Sequence, residues 1–512
     1  MPRPEDVEPA GDTHWQPPQA DFNQILYEQL KKTPWFMISL VIHLVAFLVL
    51  GNLSFADITS QTQKKVEAKL NQEQQEELIE EPEEEIEEEK PEEEPLEEPE
   101  IEEMAEVETT ETEAEDDSTA DQPYEGKQSN AAIGLGGGAG GAFGGRRGGR
   151  GGLRRRYGGE GTAQAVELGL EWLAKHQTPD EGYWDCDGFQ EQCKGNICDG
   201  KGYPLYDPGI TGLALLAFLG AGYTHQAGPY KKTVSDAIKY LRRIQDPEGC
   251  FGIQTGHFMY SHATCALAMT EAYGMTNSPI LRPAVEKGLA FIYKAQNPNP
   301  SGTGKLAWRY TVQPGDNDTS VTGWVVMALK SAKAAGFEVA QDSFEGARVW
   351  VDQMTDPATG RCGYVQAGVS PVRAPGREEK WPRSKSEAIT AVAMLTRVFL
   401  DEDPEKSKPV QQGAKLCLER LPNWNEGDGS VDQYYWYYGT LAMFQVGGAQ
   451  WAKWNKAMKA AIIDHQRKDN CEKGSWDPIG PWGEDGGRVY ATAILTMCLE
   501  VYYRYGKVFG TK

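Results

Sequence analysis

The sequence predicts an all-α domain, a closed (α/α)6 toroid, preceded by a single transmembrane helix and a long disordered linker. Three observations carry this: a helical hairpin that recurs six times after residue 162, a regular alternation in the character of its helices, and an uncharged apolar run near the N-terminus.

The first hairpin begins with AVELGLEWLAKHQ, where Leu168, Leu170, Leu173 and Ala174 recur at the spacing of a helix with one buried face. Pro179 and Gly182 end that helix, Trp184 follows, and an apolar helix from Ile210 to Tyr223 returns. The second copy carries Gln245, Gly249 and Phe251 and returns through SHATCALAMTEAYG; the third ends its outer helix at Gln296, loops to Trp308 and returns through SVTGWVVMALKSAKAAG. The fourth has Gln353 and Tyr364, the fifth lacks the glutamine, and the sixth has Gln466, Gly474 and Trp476. The first helix of each pair has a charged face, whereas the second is apolar nearly all round and belongs inside. Six inner helices ringed by six outer ones, with repeat six packed on repeat one, satisfy this pattern; an open solenoid would have more uniform repeats and polar caps.

The turns at Gln177/Trp184, Gln245/Phe251 and Gln466/Trp476 resemble the repeat motif of the squalene cyclase and protein prenyltransferase superfamily, over roughly residues 160–505. The resemblance implies the terpenoid-cyclase toroid and leaves activity open, because one fold hosts many functions.

The expected organisation is a cytoplasmic head (1–34), a transmembrane helix (35–55), an acidic Pro/Glu-rich disordered tether (56–125), a Gly/Arg-rich flexible linker (126–161) and the toroid (162–512). The net charge of the 512 residues is −25, yet the stretch from Glu67 to Asp117 alone holds 27 acids against Lys69 and Lys90, so the rest is balanced. The acidic balance therefore describes the tether, which has too little apolar content to fold, and says nothing about the toroid's partners. The run from Trp35 to Phe55 has no Lys, Arg, Asp or Glu and is long enough to span a bilayer. Lys31 and Lys32 precede it, so the positive-inside rule places the N-terminus in the cytoplasm and the toroid in the periplasm, at the inner membrane. The arginines of the linker, Arg146 to Arg156, would suggest RNA in a cytoplasmic protein; outside the membrane nucleic acid is not expected.

Ser39 and His43 lie four apart on one face of that helix. Either Ser39 bonds to its own backbone while His43 reaches for the interface, or the pair meets a partner. Residues 30–105 resemble TonB-type energy transducers, which implies contact of Ser39 and His43 with an ExbB/ExbD-type proton-driven motor. The transducers' usual C-terminal domain is replaced here by the toroid.

In a toroid the N-termini of the inner helices converge at the mouth of a central cavity. The candidates there for binding an apolar, peptide or wall-associated ligand are Tyr206, Asp207, His257, Tyr260, His262, Trp381, Arg383, Tyr434, Tyr435, Trp436, Trp482, Glu484, Arg488 and Tyr490. If the domain is an enzyme, cyclisation needs a protonated aspartic acid. GDNDTSVTGW resembles the Asp-x-Asp-Asp-Thr motif of squalene-hopene cyclases without matching it: if Asp318-Thr319 ends the motif, Asn317 holds the donor position, and if Asp316 begins it, Thr319 replaces the last aspartate. Asp316 and Asp318 are left as candidates, with Asp318 also placed to cap the following helix. Prenyl transfer would need a zinc site; YSHATC with His262 and Asp469-x-Cys471 resembles that family's ligands, but the Asp-x-Cys ends an outer helix, so no cofactor is expected. Of the nine cysteines, Cys186, Cys193, Cys198, Cys250, Cys362 and Cys471 lie in turns, where an oxidising compartment would let them pair. A bridge from Cys471 to the Cys186–Cys198 loop would staple the ring, and a structural metal on Cys186, Cys193 and Cys198 is the alternative. The leading expectation is a membrane-anchored binding or force-transmitting protein; the alternative is a cyclase- or prenyltransferase-like enzyme acting on an isoprenoid or other substrate in the cavity.

Overall fold

The computed structural model describes residues 160–369 and 373–504. The expected transmembrane segment with Ser39 and His43, the acidic tether and the Gly/Arg-rich linker all lie outside the described residues. Among the described residues no helix is long and apolar enough to cross a membrane.

Twelve principal helices alternate outer and inner: α1 (Glu160–Lys175) and α2 (Asp207–Gly220), α3 (Lys231–Ile244) and α4 (Phe258–Thr276), α5 (Arg282–Ala295) and α6 (Thr319–Ala334), α7 (Gln341–Met354) and α8 (Ala388–Phe399), α9 (Lys408–Glu419) and α10 (Gln433–Val446), α11 (Gly448–Ile463) and α12 (Gly483–Leu499); a last turn, α13, spans Val501–Arg504. The even-numbered helices pack side by side in chain order, and α12 packs back on α2 and α1, so the ring is closed. Burial follows the alternation seen in the sequence. Every residue of α2 from Gly209 to Gly220 is buried, whereas α3 buries only Val234, Ala237, Ile238, Tyr240 and Leu241, the stripe of an amphipathic helix.

The recurring glutamine explains how repeats are joined. The Nε2 of Gln177 donates to its own turn at the Gly182 carbonyl (2.8 Å) and to the Thr233 carbonyl of the next outer helix (2.9 Å). Gln245 does the same with Gly249 and Ala284, and Gln296 with Leu306 and Ser343. Gln466 donates to Gly474 and, across the closure, to Ala165 of α1. One amide thus satisfies a turn carbonyl and adds a second bond to a carbonyl in the first turns of the neighbouring outer helix, tying turn to helix. The tryptophan of each motif anchors the turn to its own helix: the indoles of Trp184, Trp308 and Trp476 donate to the carbonyls of Leu173, Ile292 and Ile462. Glycine is required between them. Gly182 and Gly474 have φ of +80° and +95°, and a Cβ there would lie 2.4 Å from the Asp236 carbonyl and 2.1 Å from that of Leu168.

Repeat four departs from the expected pattern. Gln353 is exposed on α7, and Thr355 occupies the turn position, paired to Cys362 as Gln245 is to Phe251. At the end of the ring away from the turns, Arg504 is fully buried, donating to Glu271 of α4 (3.0 Å), Glu500 (3.3 Å) and the Leu216 carbonyl (2.6 Å). That cation holds α2, α4 and the C-terminal turn together.

The expected disulfides are not formed: all nine cysteines are free thiols. Cys265, Cys417 and Cys498 are buried in helices as expected, and Cys186, Cys250 and Cys362 are buried in the turns. Cys471 does reach the repeat-one loop, meeting Cys193 and Cys198, but His176 stands among them and the sulfurs are not bonded to one another.

Candidate functional site

The turns place the N-terminal ends of the inner helices around one mouth, and a cavity of about 370 Å³ opens there. Its wall is built from Tyr206, Ile210 and Leu213 at the start of α2, His257, Tyr260 and Thr264 around α4, Tyr310, Ser320 and Trp324 around α6, Tyr364, Ile389, Tyr434, Trp482 and Tyr490. Arg373, Ala374 and Pro375 of the segment before α8 close one side. That segment is tied at both ends. Arg373 and Asp432, both almost wholly buried, form an ion pair at 3.0 Å, and Asp432 also caps α10 by accepting from the Tyr435 amide. Arg377 pairs with Asp485 at the opposite rim. A wider groove of about 670 Å³ lies beside the mouth, lined by Leu205, Asp207, Tyr240, Phe251 and Phe258, and shares Tyr206 and Ser261 with the cavity wall.

Behind the cavity wall, next to the lining residues Ser320 and Tyr364, lies a buried acid that does not itself line the cavity. Asp318 is fully buried at the N-terminus of α6, where one carboxylate oxygen accepts from the Val321 amide at 2.7 Å. Its second oxygen has no well-formed hydrogen bond, and the nearest cation, Arg309 Nε, is 4.0 Å away. Burial pushes the carboxyl up to about 7, against the lowering effects of the Val321 amide, Arg309 and the Tyr364 hydroxyl. The proton is therefore retained on a large fraction of molecules at neutral pH. The Tyr364 and Tyr310 hydroxyls hydrogen-bond to each other on the cavity wall, Tyr310 stacks under His257 with centroids 3.7 Å apart, and Tyr434 pairs with Ser320 at 2.6 Å. Burial lowers His257 and raises Tyr364 and Tyr434, so all three are neutral.

Of the residues expected at the mouth, the structure brings Tyr206, His257, Tyr260, Tyr434, Trp482 and Tyr490 together on the cavity wall. The others are elsewhere. Asp207 faces the neighbouring groove and accepts from the Cys186 amide, its carboxyl raised to about 6 by burial. His262 is a core residue, its ring bonded to the Phe251 amide and the Gly288 carbonyl and lowered to about 4 by burial, so it is no zinc ligand with Asp469 and Cys471. Tyr435 and Trp436 turn into the wall between α10 and its neighbours, with Tyr435 donating to the Cys417 carbonyl. Trp381 is buried, and its carbonyl accepts from Arg373 of the segment before α8; Arg383 pairs with Glu378; and Glu484 is an exposed rim partner of Arg377. Arg488 is fully buried at the ring closure, bound to Asp199 and Asp477. Asp316 is half exposed and pairs with Arg309 away from the cavity.

Nothing in the sequence singles out Tyr310, Ser320, Trp324 and Arg373 for the site, and Tyr364 is marked there only as the aromatic of the fourth repeat's turn. Ser320 and Trp324 are four apart on α6, so one face of that helix looks into the cavity, but an all-apolar helix gives no sign of which face that is.

Fold and cavity together define a squalene-cyclase-like α/α toroid with an aromatic central site. Residues 160–354 match the family model of the squalene-hopene cyclase C-terminal domain. A curated squalene–hopene cyclase of Bradyrhizobium diazoefficiens is 28% identical over 193 residues, which are 35% of this chain and 28% of the relative's length. Among solved structures, the type II terpene cyclase MstE from Scytonema has a TM-score of 0.43 at 13% identity, covering 66% of this chain and 97% of that one. A cellobiose 2-epimerase from Bacillus thermoamylovorans has 0.47 at 13% identity, over 67% and 98% of the two chains. A GH76A α-1,6-mannanase from Salegentibacter has 0.45 at 11%, over 67% and 99%.

Proposed function

We propose that the toroid is a squalene-cyclase-like enzyme domain that takes an apolar, isoprenoid-type substrate into the tyrosine-lined cavity and initiates reaction with a proton supplied by Asp318 from behind the wall, through the hydroxyl of the lining residue Tyr364. The carrying observation is the divided carboxyl of Asp318: one oxygen is fixed by the helix N-terminus, and the other is buried without a well-formed hydrogen bond, in surroundings that raise the carboxyl to about 7. Protonation of an alkene transfers that proton to carbon and leaves a carbocation, which the faces of Trp324, Tyr260 and Tyr434 would stabilise. Loss of a proton from the cyclised cation returns it to the carboxylate, so the product is an isomer of the substrate.

A second reading, binding without turnover, is favoured by Asn317. It stands where the resembling motif has its donor, and its side chain accepts from Asn297 and the Ala307 amide and so is part of the scaffold. The N-terminal segment supports a membrane anchor for either reading, which would deliver an apolar ligand from the bilayer, and Ser39 and His43 would couple it to a proton-driven motor. Loss of co-purifying membrane partners in His43→Ala, with the toroid still folded, is the outcome expected of that coupling.

The test is incubation of the full chain with squalene, scored by mass spectrometry for cyclic products of unchanged mass. Asn caps helices as well as Asp, so Asp318→Asn removes the acid while keeping the cap. Turnover lost in this variant at unchanged melting temperature supports the enzyme. Saturable binding with no product in the native chain supports the second reading.

A further inference from the structure

Four side chains that the cavity does not use meet at the seam of the ring. His176 directly follows α1, Cys193 and Cys198 lie in the loop beyond it, and Cys471 comes from the turn of repeat six. Their ligand atoms all lie within 4.8 Å of one another. From His176 Nε2 the sulfurs of Cys471, Cys193 and Cys198 are 3.3, 3.6 and 3.7 Å away.

These distances have a chemical meaning. Zinc with Zn–S of about 2.3 Å and Zn–N of about 2.0–2.1 Å, in tetrahedral geometry, places the nitrogen roughly 3.5 Å from each sulfur. The side chains are therefore spaced as the corners of such a site, with room for one ion at the centre. The histidine is also held in the tautomer a metal needs. Its Nδ1 donates to the Trp172 carbonyl at 2.8 Å, which leaves the Nε2 lone pair directed at the sulfurs. Trp172 stacks on the imidazole at 4.1 Å and Phe189 meets it edge-on, fixing the ring in an apolar wall. The Cys198 amide donates to the Cys193 sulfur at 3.3 Å, which fixes that sulfur in the cluster.

We propose that His176, Cys193, Cys198 and Cys471 form a structural zinc site that fastens repeat six to repeat one. Three soft thiolates and one imidazole select zinc over hard cations. Four protein ligands leave no open position, and none of the four lines the cavity, so the metal holds structure and takes no part in the chemistry proposed there. The ion displaces the three thiol protons on binding. The location is where a clip acts most strongly, because His176 and Cys471 are 295 residues apart and the loop they close is most of the ring. The same seam carries Arg488, whose guanidinium binds the Asp199 carbonyl one residue beyond Cys198, and the Gln466 bond to Ala165. This site takes the place of the disulfide expected from the sequence.

The test is metal content of the purified full chain, measured by elemental analysis and native mass spectrometry, followed by titration of the reduced apoprotein with Zn²⁺ against a chromophoric chelator. The expected result is one zinc per chain, and thiolate-to-metal charge transfer with tetrahedral d–d bands when Co²⁺ replaces it. Cys471→Ser and Cys198→Ser should each weaken Zn²⁺ binding by more than the 10–100-fold typical of outer-shell changes. Cys362→Ser, a buried thiol elsewhere, should leave the stoichiometry at one and controls for folding. A native chain that takes up no Zn²⁺ after reduction overturns the proposal, as does a Cys193–Cys471 or Cys198–Cys471 disulfide found by mass in the freshly purified protein. Zinc retained at full affinity in both ligand variants overturns it equally.

Discussion

Gln466 donates its side-chain amide to the carbonyl of Ala165, 2.8 Å away and 301 residues earlier in the chain, and this bond joins the last outer helix to the first. It repeats what Gln177, Gln245 and Gln296 do between neighbours, so closure uses the same contact as propagation.

Gln466→Ala should therefore destabilise the domain by about 1–3 kcal/mol, the cost of leaving the Gly474 turn carbonyl without its donor and breaking the tie to α1. Gln353→Ala, which removes an exposed glutamine of the same sequence pattern, should be neutral. Thermal unfolding of the two variants checks the contrast; equal losses would mean that the two bonds of Gln466 contribute nothing specific to closure.

The Arg373–Asp432 pair is buried on both sides. Removing one member leaves a charge in a low-dielectric wall, so Arg373→Met should cost about 3–5 kcal/mol. Arg373→Met combined with Asp432→Asn, which keeps the α10 cap, should recover most of that loss. Denaturant unfolding of the single and double variants provides the measurement.

Asp318 gives a pH dependence of definite sign. Its folded carboxyl is raised to about 7 from an ordinary 3.8, so its contribution to stability is fully present below about pH 4 and is lost as pH rises through 7. Asp318→Asn has no such loss, and its stability relative to the native chain should grow between pH 4 and 8, by at most about 4 kcal/mol. Turnover by the native chain should fall above pH 7 as the proton is lost. Melting temperatures and rates across that range test both limbs.

Much of the fold is legible because it is written in period and repetition: the charged-face and largely apolar helices alternate six times, and Gln, Gly and an aromatic residue mark most of the turns. Residues at the inner-helix N-termini could be collected from that pattern, but their direction could not. Tyr434 and Tyr435 are adjacent, yet one faces the cavity and the other the Cys417 carbonyl, because a step of one residue turns a helical side chain through about 100°. His176 was passed over for a related reason. It looks like one more residue before the motif glutamine, and its partners lie 17, 22 and 295 positions away. The two roles of Asp318 were set out as alternatives from sequence; they are compatible because a carboxyl has two oxygens in different surroundings.

The central claim is that the ring encloses a cavity made for an apolar molecule. The direct measurement is equilibrium retention of labelled squalene by the purified full chain, compared with a variant in which Leu213 on the cavity wall is replaced by Trp. Saturation at one molecule per chain, lost in Leu213→Trp while the circular dichroism and melting temperature are kept, is the predicted result. Absence of saturable binding, or binding that survives the filled cavity, would contradict it.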